Sequence, residues 1–274
     1  SPDAEYEKMI RSKVRAVAGS TLARLRRRAQ MQRTHLTTGV TPTSRPQTPA
    51  RTCLGGGIHS HAPAKTATPS YSTSASGEPI SLPQGRPVRD LIVIGVSTGG
   101  PPAVQRILSL LPAKLPACIL IAQHMPATFT GAFAKRLDNI SPLSVKEASA
   151  VEKMRPGCVY VCPGGKHLQV KTMTEAIVTP DPVEALYKPS ANVLMESAGR
   201  ILGRKTLGVM LTGMGNDGLE GAKVLKKEGG RLLAQSESSC VVYGMPKAVV
   251  DAEIVDEIVD IEHMAQAIVA NLYK

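Results

Sequence analysis

Leu91-Ile-Val-Ile-Gly-Val-Ser-Thr-Gly-Gly-Pro-Pro102 decides how the rest of the chain folds. An apolar run of four residues meets a glycine-rich turn, the pattern of a short buried strand. Pro101 and Pro102 follow, and both suit a helix N-terminus, where a missing N–H costs little. Val104, Ile107, Leu108 and Leu111 then recur at helical spacing until Pro112 stops them. Strand, glycine turn and amphipathic helix make the first half of a βαβ unit. A second apolar run, 117–122, supplies the next strand, and a helix is expected over 128–137.

The same alternation returns further along. A helix over 190–202 leads to a strand at 207–211, a helix at 218–227 and a strand at 231–235. A short helix at 246–250, a strand at 257–259 and a final helix to 272 close the pattern. Between these halves, 145–179 holds β-like pieces at 158–162, 168–171 and 176–179, split by turns. Buried strands alternating with amphipathic helices predict an α/β fold: a doubly wound, mostly parallel sheet with helices on both faces. The β-like middle is expected to add an antiparallel hairpin. No internal repeat is present.

Upstream of this body the composition changes. Tyr6, Met9, Ile10, Val14 and Val17 have helical spacing, and the basic run Arg24, Arg26, Arg27, Arg28 continues that helix to about residue 30. From 37 to 88, Ser, Thr, Pro, Gly and Ala dominate, too poor in large apolar groups to offset the entropy of ordering. The chain therefore divides into 1–88, a basic helical segment and flexible linker, and 89–274, a folded domain where the function is to be sought. The net charge of +11 follows the same division. Residues 1–88 hold 13 Lys and Arg against 4 Asp and Glu, whereas 89–274 hold 20 against 18. A basic tail of this kind reads as solvated chain, and no nucleic-acid partner is expected. Aromatic residues are 3% with no Trp, which argues against a stacking platform for single strands. No apolar run approaches the roughly 20 residues of a membrane helix, so no membrane insertion is expected. Five scattered cysteines fit a reducing cytoplasm better than a disulfide scaffold.

Ligands in open α/β sheets bind beyond the carboxyl ends of the strands. Ser97 follows the first strand, His124 the second, and Asp217 the strand at 207–211. A serine, a base to take its proton and an acid to orient the base would make a hydrolytic triad. Each residue has a competing reading. The turn at 95–100 nearly matches a phosphate-binding loop, with Pro101 where its lysine should stand. It also fits G-x-S-x-G, but the order Ser, His, Asp is not that of the α/β-hydrolases. His124 alone could be a packed histidine, and Asp217 could cap the helix after it. Cys158, Cys162 and His167 lack a fourth ligand, so no metal is expected, and His167 is a weaker candidate for substrate contact. His59 and His61 stand in the flexible tract without further ligands. A phosphate-binding module using the turn, or a basic arm on an inactive scaffold, are the other function classes.

Five segments carry a resemblance: Ile94-Gly-Val-Ser-Thr-Gly-Gly-Pro101, Gln123-His-Met-Pro126, Cys162-Pro-Gly-Gly-Lys-His167, Leu211-Thr-Gly-Met-Gly-Asn-Asp-Gly218 and Ala234-Gln-Ser-Glu-Ser-Ser-Cys-Val-Val-Tyr-Gly-Met-Pro246. In this order they resemble the bacterial chemotaxis protein-glutamate methylesterase family. The resemblance implies Ser97 as nucleophile, His124 as general base and Asp217 as its orienting acid. It implies that Thr98 and Met214 line the cleft and donate backbone N–H groups to the oxyanion. The implied activity is hydrolysis of glutamate γ-methyl esters, and deamidation of glutamines, on methyl-accepting chemotaxis receptors during sensory adaptation. It uses no cofactor and takes place in the cytoplasm, in a shallow open cleft. Residues 6–15 resemble the connection after that family's receiver domain, which is expected upstream in the full-length protein. Val96 stands where a smaller alanine is common, and Ala191-Asn192 where an apolar residue and Asp are usual.

Overall fold

The computed structural model describes residues 80–274. The helix expected over 6–30, most of the linker, and His59 and His61 lie outside the described residues. β1 (Leu91–Val96) runs through the glycine turn into α1 (Gly100–Leu110), and β2 (Cys118–Gln123) into α2 (Ala127–Ile140). Five short strands follow: β3 (Ser144–Glu147), β4 (Val151–Lys153), β5 (Cys158–Val161), β6 (His167–Val170) and β7 (Glu175–Thr179). Then come α3 (Ala191–Leu202), β8 (Thr206–Met210), α4 (Leu219–Lys227), β9 (Arg231–Gln235), α5 (Met245–Asp251), β10 (Glu257–Val259) and α6 (Met264–Asn271).

Seven strands form one sheet in the order β10-β9-β8-β1-β2-β5-β3, with every pairing parallel. The expected antiparallel hairpin is β6–β7, and with β4 it makes a separate three-stranded sheet. β5 parts from that hairpin and joins the parallel sheet instead. There it lies between β2 and β3, and Val159, Tyr160 and Val161 are covered on both faces. β3 and β4 escaped the apolar pattern because they are short: β3 buries Val145 among polar and charged residues, and β4 buries the charged Glu152 while exposing Val151.

Strand alternation divides the core in two. Ile92, Ile94 and Val96 of β1 face the side packed by α1, α2 and α6. Leu91 and Val93 face the other side, with α3, α5 and the small sheet. Residues 80–88 carry no helix or strand, yet Ile80 and Leu82 pack against the first cluster and the Val88 N–H donates to Leu272 O at 2.8 Å. From β1 the chain builds outward through β2 and β5, then returns to the opposite side of β1 with β8. That reversal opens a crevice at the carboxyl ends of β1, β2 and β8, where ligands bind in this architecture.

Candidate active site

Strand register brings the site together. Val96 pairs with Gln123 at the ends of β1 and β2, so the next residues, Ser97 and His124, leave the sheet side by side. On the other flank the Ser97 N–H donates to Thr212 O at 3.0 Å, tying the glycine-rich turn to the loop after β8. Gly99 takes φ 82°, a left-handed conformation that lets the chain turn from Ser97 into α1. Gly213 permits close approach, since a Cβ there would lie 2.8 Å from the Ser97 Cβ.

Ser97 Oγ is 3.1 Å from His124 Nδ1, and His124 Nε2 is 2.7 Å from Asp217 Oδ2. The three residues singled out in the sequence thus form one hydrogen-bonded chain. The ring is turned relative to the serine-protease arrangement, in which Nε2 faces the serine. Both nitrogens lie in the ring plane, so a proton on Nε2 leaves Nδ1 with a lone pair aimed at Ser97.

Asp217 does not cap the helix that follows it. It closes the N-terminus of α3 instead, where Oδ2 accepts from Ala191 N at 2.6 Å and Oδ1 from Asn192 N at 3.2 Å and Ser190 Oγ at 2.8 Å. Burial pushes the carboxyl pKa up. The hydrogen bond and charge of His124, with the Ala191 N–H and the Ser190 hydroxyl, outweigh it and hold the pKa below the usual value. The acid is therefore ionised and fixed at neutral pH.

Gln123 is a functional neighbour that the sequence reading passed over. Its Nε2 donates to Ser97 O at 3.0 Å, and Gly100 N donates to the same oxygen at 2.9 Å. With that carbonyl held on one side, the trans peptide turns the Thr98 N–H the opposite way. The Gly100 bond also occupies an N–H that a phosphate-binding turn would offer to its ligand. Tyr187 is the second neighbour not foreseen: its ring stacks on His124 with centroids 4.4 Å apart. No local pattern signals either contact.

A cleft of about 520 Å³ opens beside Ser97, lined by Ser97, Thr98, His124, Phe129 and Arg136 among others. Met214, expected to line this cleft, lies on the loop after β8 that also carries Asp217. The segment before it is drawn toward α5, where Gly244 N and Met245 N donate to Gly213 O at 3.0 and 2.9 Å. His167 is fully buried and its Nδ1 accepts from Ser190 N at 3.3 Å, so it supports the α3 cap and is out of a substrate's reach. Burial pushes the Cys162 thiol pKa up, and its Sγ donates to backbone carbonyls at Pro163 and Lys166. Among the described residues, no group of three His, Cys, Asp or Glu side chains is placed to hold a metal ion.

The model of the CheB methylesterase family matches residues 92–268. The chain belongs to this family. A relative in Nitratidesulfovibrio vulgaris, named protein-glutamate methylesterase/protein-glutamine glutaminase 2, is 66% identical over 190 residues, covering 68% of this chain and 52% of the relative. A relative in Desulfitobacterium hafniense of the same name without the number is 37% identical over 280 residues, covering 98% of this chain and 69% of the relative. The crystal structure of the Thermotoga maritima CheB methylesterase catalytic domain is similar with a TM-score of 0.64 and 37% identity, over 66% of this chain and 98% of that one. This CheB-family chain spans about half the length of several of the curated relatives it matches. No described helix is long and apolar enough to cross a membrane.

Proposed function

We propose that the chain hydrolyses glutamate γ-methyl esters, and deamidates glutamines, on methyl-accepting chemotaxis receptors by acyl transfer through Ser97. The observation that carries this reading is the hydrogen-bonded chain Ser97–His124–Asp217 at one edge of the sheet, with contacts of 3.1 and 2.7 Å. Ser97 Oγ attacks the ester carbonyl while His124 Nδ1 takes its proton. Asp217, ionised and held by α3, stabilises the imidazolium through Nε2. The oxyanion that forms accepts from the Thr98 N–H, whose direction Gln123 and Gly100 set through the Ser97 carbonyl. His124 returns the proton to the departing methoxide, and methanol leaves. Water, deprotonated by the same imidazole, then splits the acyl-enzyme to free glutamate and Ser97. A glutamine substrate follows the same course, with ammonia leaving.

The cleft is open at the surface, which suits a side chain presented by a large protein. Thiols at Cys118 and Cys162, whose pKa values burial raises, suit a reducing compartment, and we place the reaction in the cytoplasm. The receiver domain implied by residues 6–15 belongs to the same proposal, as part of the longer protein. Methanol release from methylated receptor membranes tests the reading. Release that depends on Ser97, and is blocked by a serine-directed phosphonate, is expected. Absence of release by the folded chain would overturn it.

A further inference from the structure

Tyr187 belongs to none of the strands or helices, yet its ring lies flat on His124, with the planes 6° apart and the centroids separated by 4.4 Å. The loop that carries it is anchored at both ends. Gln169 Nε2 donates to Asp181 O at 2.7 Å, and Gly165 N donates to Lys188 O at 3.1 Å. The stack is therefore held from outside the triad.

Its mechanical role follows from the geometry of the ring. Hydrogen bonds at Nδ1 and Nε2 fix the two ends of one axis through the imidazole. A swing about that axis leaves both contacts nearly intact while tilting the ring plane. The Cβ attachment restrains that swing through the side-chain torsions, and a group on the ring face adds direct resistance; Tyr187 occupies that position. Its phenol stays neutral, because burial and the Asp217 charge both push its pKa up. A neutral aromatic face also favours the cation that His124 becomes when it takes the serine proton.

We propose that Tyr187 is a positioning residue for the acyl-transfer step, holding the His124 imidazole in line with Ser97 and Asp217 and stabilising its protonated form. This rests on the esterase reading above. Because this role acts on His124 and not on the substrate, loss of Tyr187 should lower kcat and spare KM. A π-face under a cation corresponds to about two- to thirtyfold in rate.

The test compares wild type, Tyr187→Phe, Tyr187→Leu, Tyr187→Ala and Ser97→Ala on methylated receptor membranes. Active-site titration with a serine-directed phosphonate counts the competent molecules in each preparation except Ser97→Ala, so a partly unfolded variant is still read correctly. Tyr187→Phe keeps the face and should stay within about twofold of wild type. Tyr187→Leu keeps most of the bulk without the face, and should lose about tenfold in kcat per titrated site with KM within about twofold. Tyr187→Ala should lose at least as much. Wild-type kcat in Tyr187→Leu, an equal loss in Tyr187→Phe, or a loss carried by KM would each overturn the proposal. Wild-type turnover no faster than that of Ser97→Ala would instead overturn the esterase reading itself.

Discussion

Asn192 and Asp217 each hold the first turn of the helix beside the other. Asp217 accepts from Ala191 N and Asn192 N at the start of α3, while Asn192 Oδ1 accepts from Gly218 N and Gly221 N at the start of α4, at 3.0 and 2.9 Å. Asp217 is thus fixed by a reciprocal exchange of helix caps, in which Asn192 performs the other half. Asn192→Ala leaves two N–H groups without this acceptor and should cost about 1 kcal/mol, measured by urea denaturation. Asp217→Asn should cost more, about 3 kcal/mol, because an amide turns a donor toward groups that need an acceptor. It should also slow turnover by about 10⁴-fold, far beyond what the stability loss alone would give.

Acid should weaken the fold through the same carboxyl. A group whose folded pKa lies below its unfolded value stabilises the fold at every pH above that unfolded value, which is 3.8 for Asp. The contribution drains away as pH falls through the folded value. Denaturation midpoints taken between about pH 5 and about pH 3 should fall steeply in wild type and less steeply in Asp217→Asn. Equal slopes would mean that ionisation of Asp217 contributes nothing to stability.

Gln123 should matter to rate more than to affinity. Gln123→Met removes the donor to Ser97 O and leaves the Gly100 N–H as its remaining partner. The Thr98 peptide then gains freedom, and kcat should drop by about 10- to 100-fold with KM little changed. Steady-state kinetics on receptor membranes measures both. Unchanged kcat would separate Gln123 from the oxyanion site.

The boundary proposed at residue 88 can be tested against one at residue 79. Deleting 1–79 should leave phosphonate labelling and small-ester turnover nearly unchanged, since the triad lies wholly beyond it. Deleting 1–88 also removes Ile80 and Leu82 from the core and the Val88 N–H bond to Leu272. That truncation should melt lower, by about 1–3 kcal/mol of stability. Thermal unfolding of the two truncations decides which boundary is right.

Strand-end chemistry was legible because apolar runs at 91–94, 117–122 and 207–211 end in residues that burial cannot explain: Ser97, His124 and, after the glycine turn, Asp217. What escaped depends on contacts between distant segments. Tyr187 meets His124 across the fold, and Asp217 caps a helix that precedes it in sequence, so no spacing announces either. That β5 pairs with β2 and β3 instead of β6 and β7 is a choice between distant segments, which a four-residue run with an apolar centre cannot declare. Ring orientation at His124 is a matter of rotamer and neighbours, beyond any motif.

Methanol release from methylated receptor membranes, by the full chain and by its Ser97→Ala variant, reads the central claim most directly. The account predicts sustained release by the parent chain, and a fall of about 10⁴-fold or more in a variant that melts like the parent. Release at the parental rate by folded Ser97→Ala would contradict it, and would remove Ser97 from the chemistry.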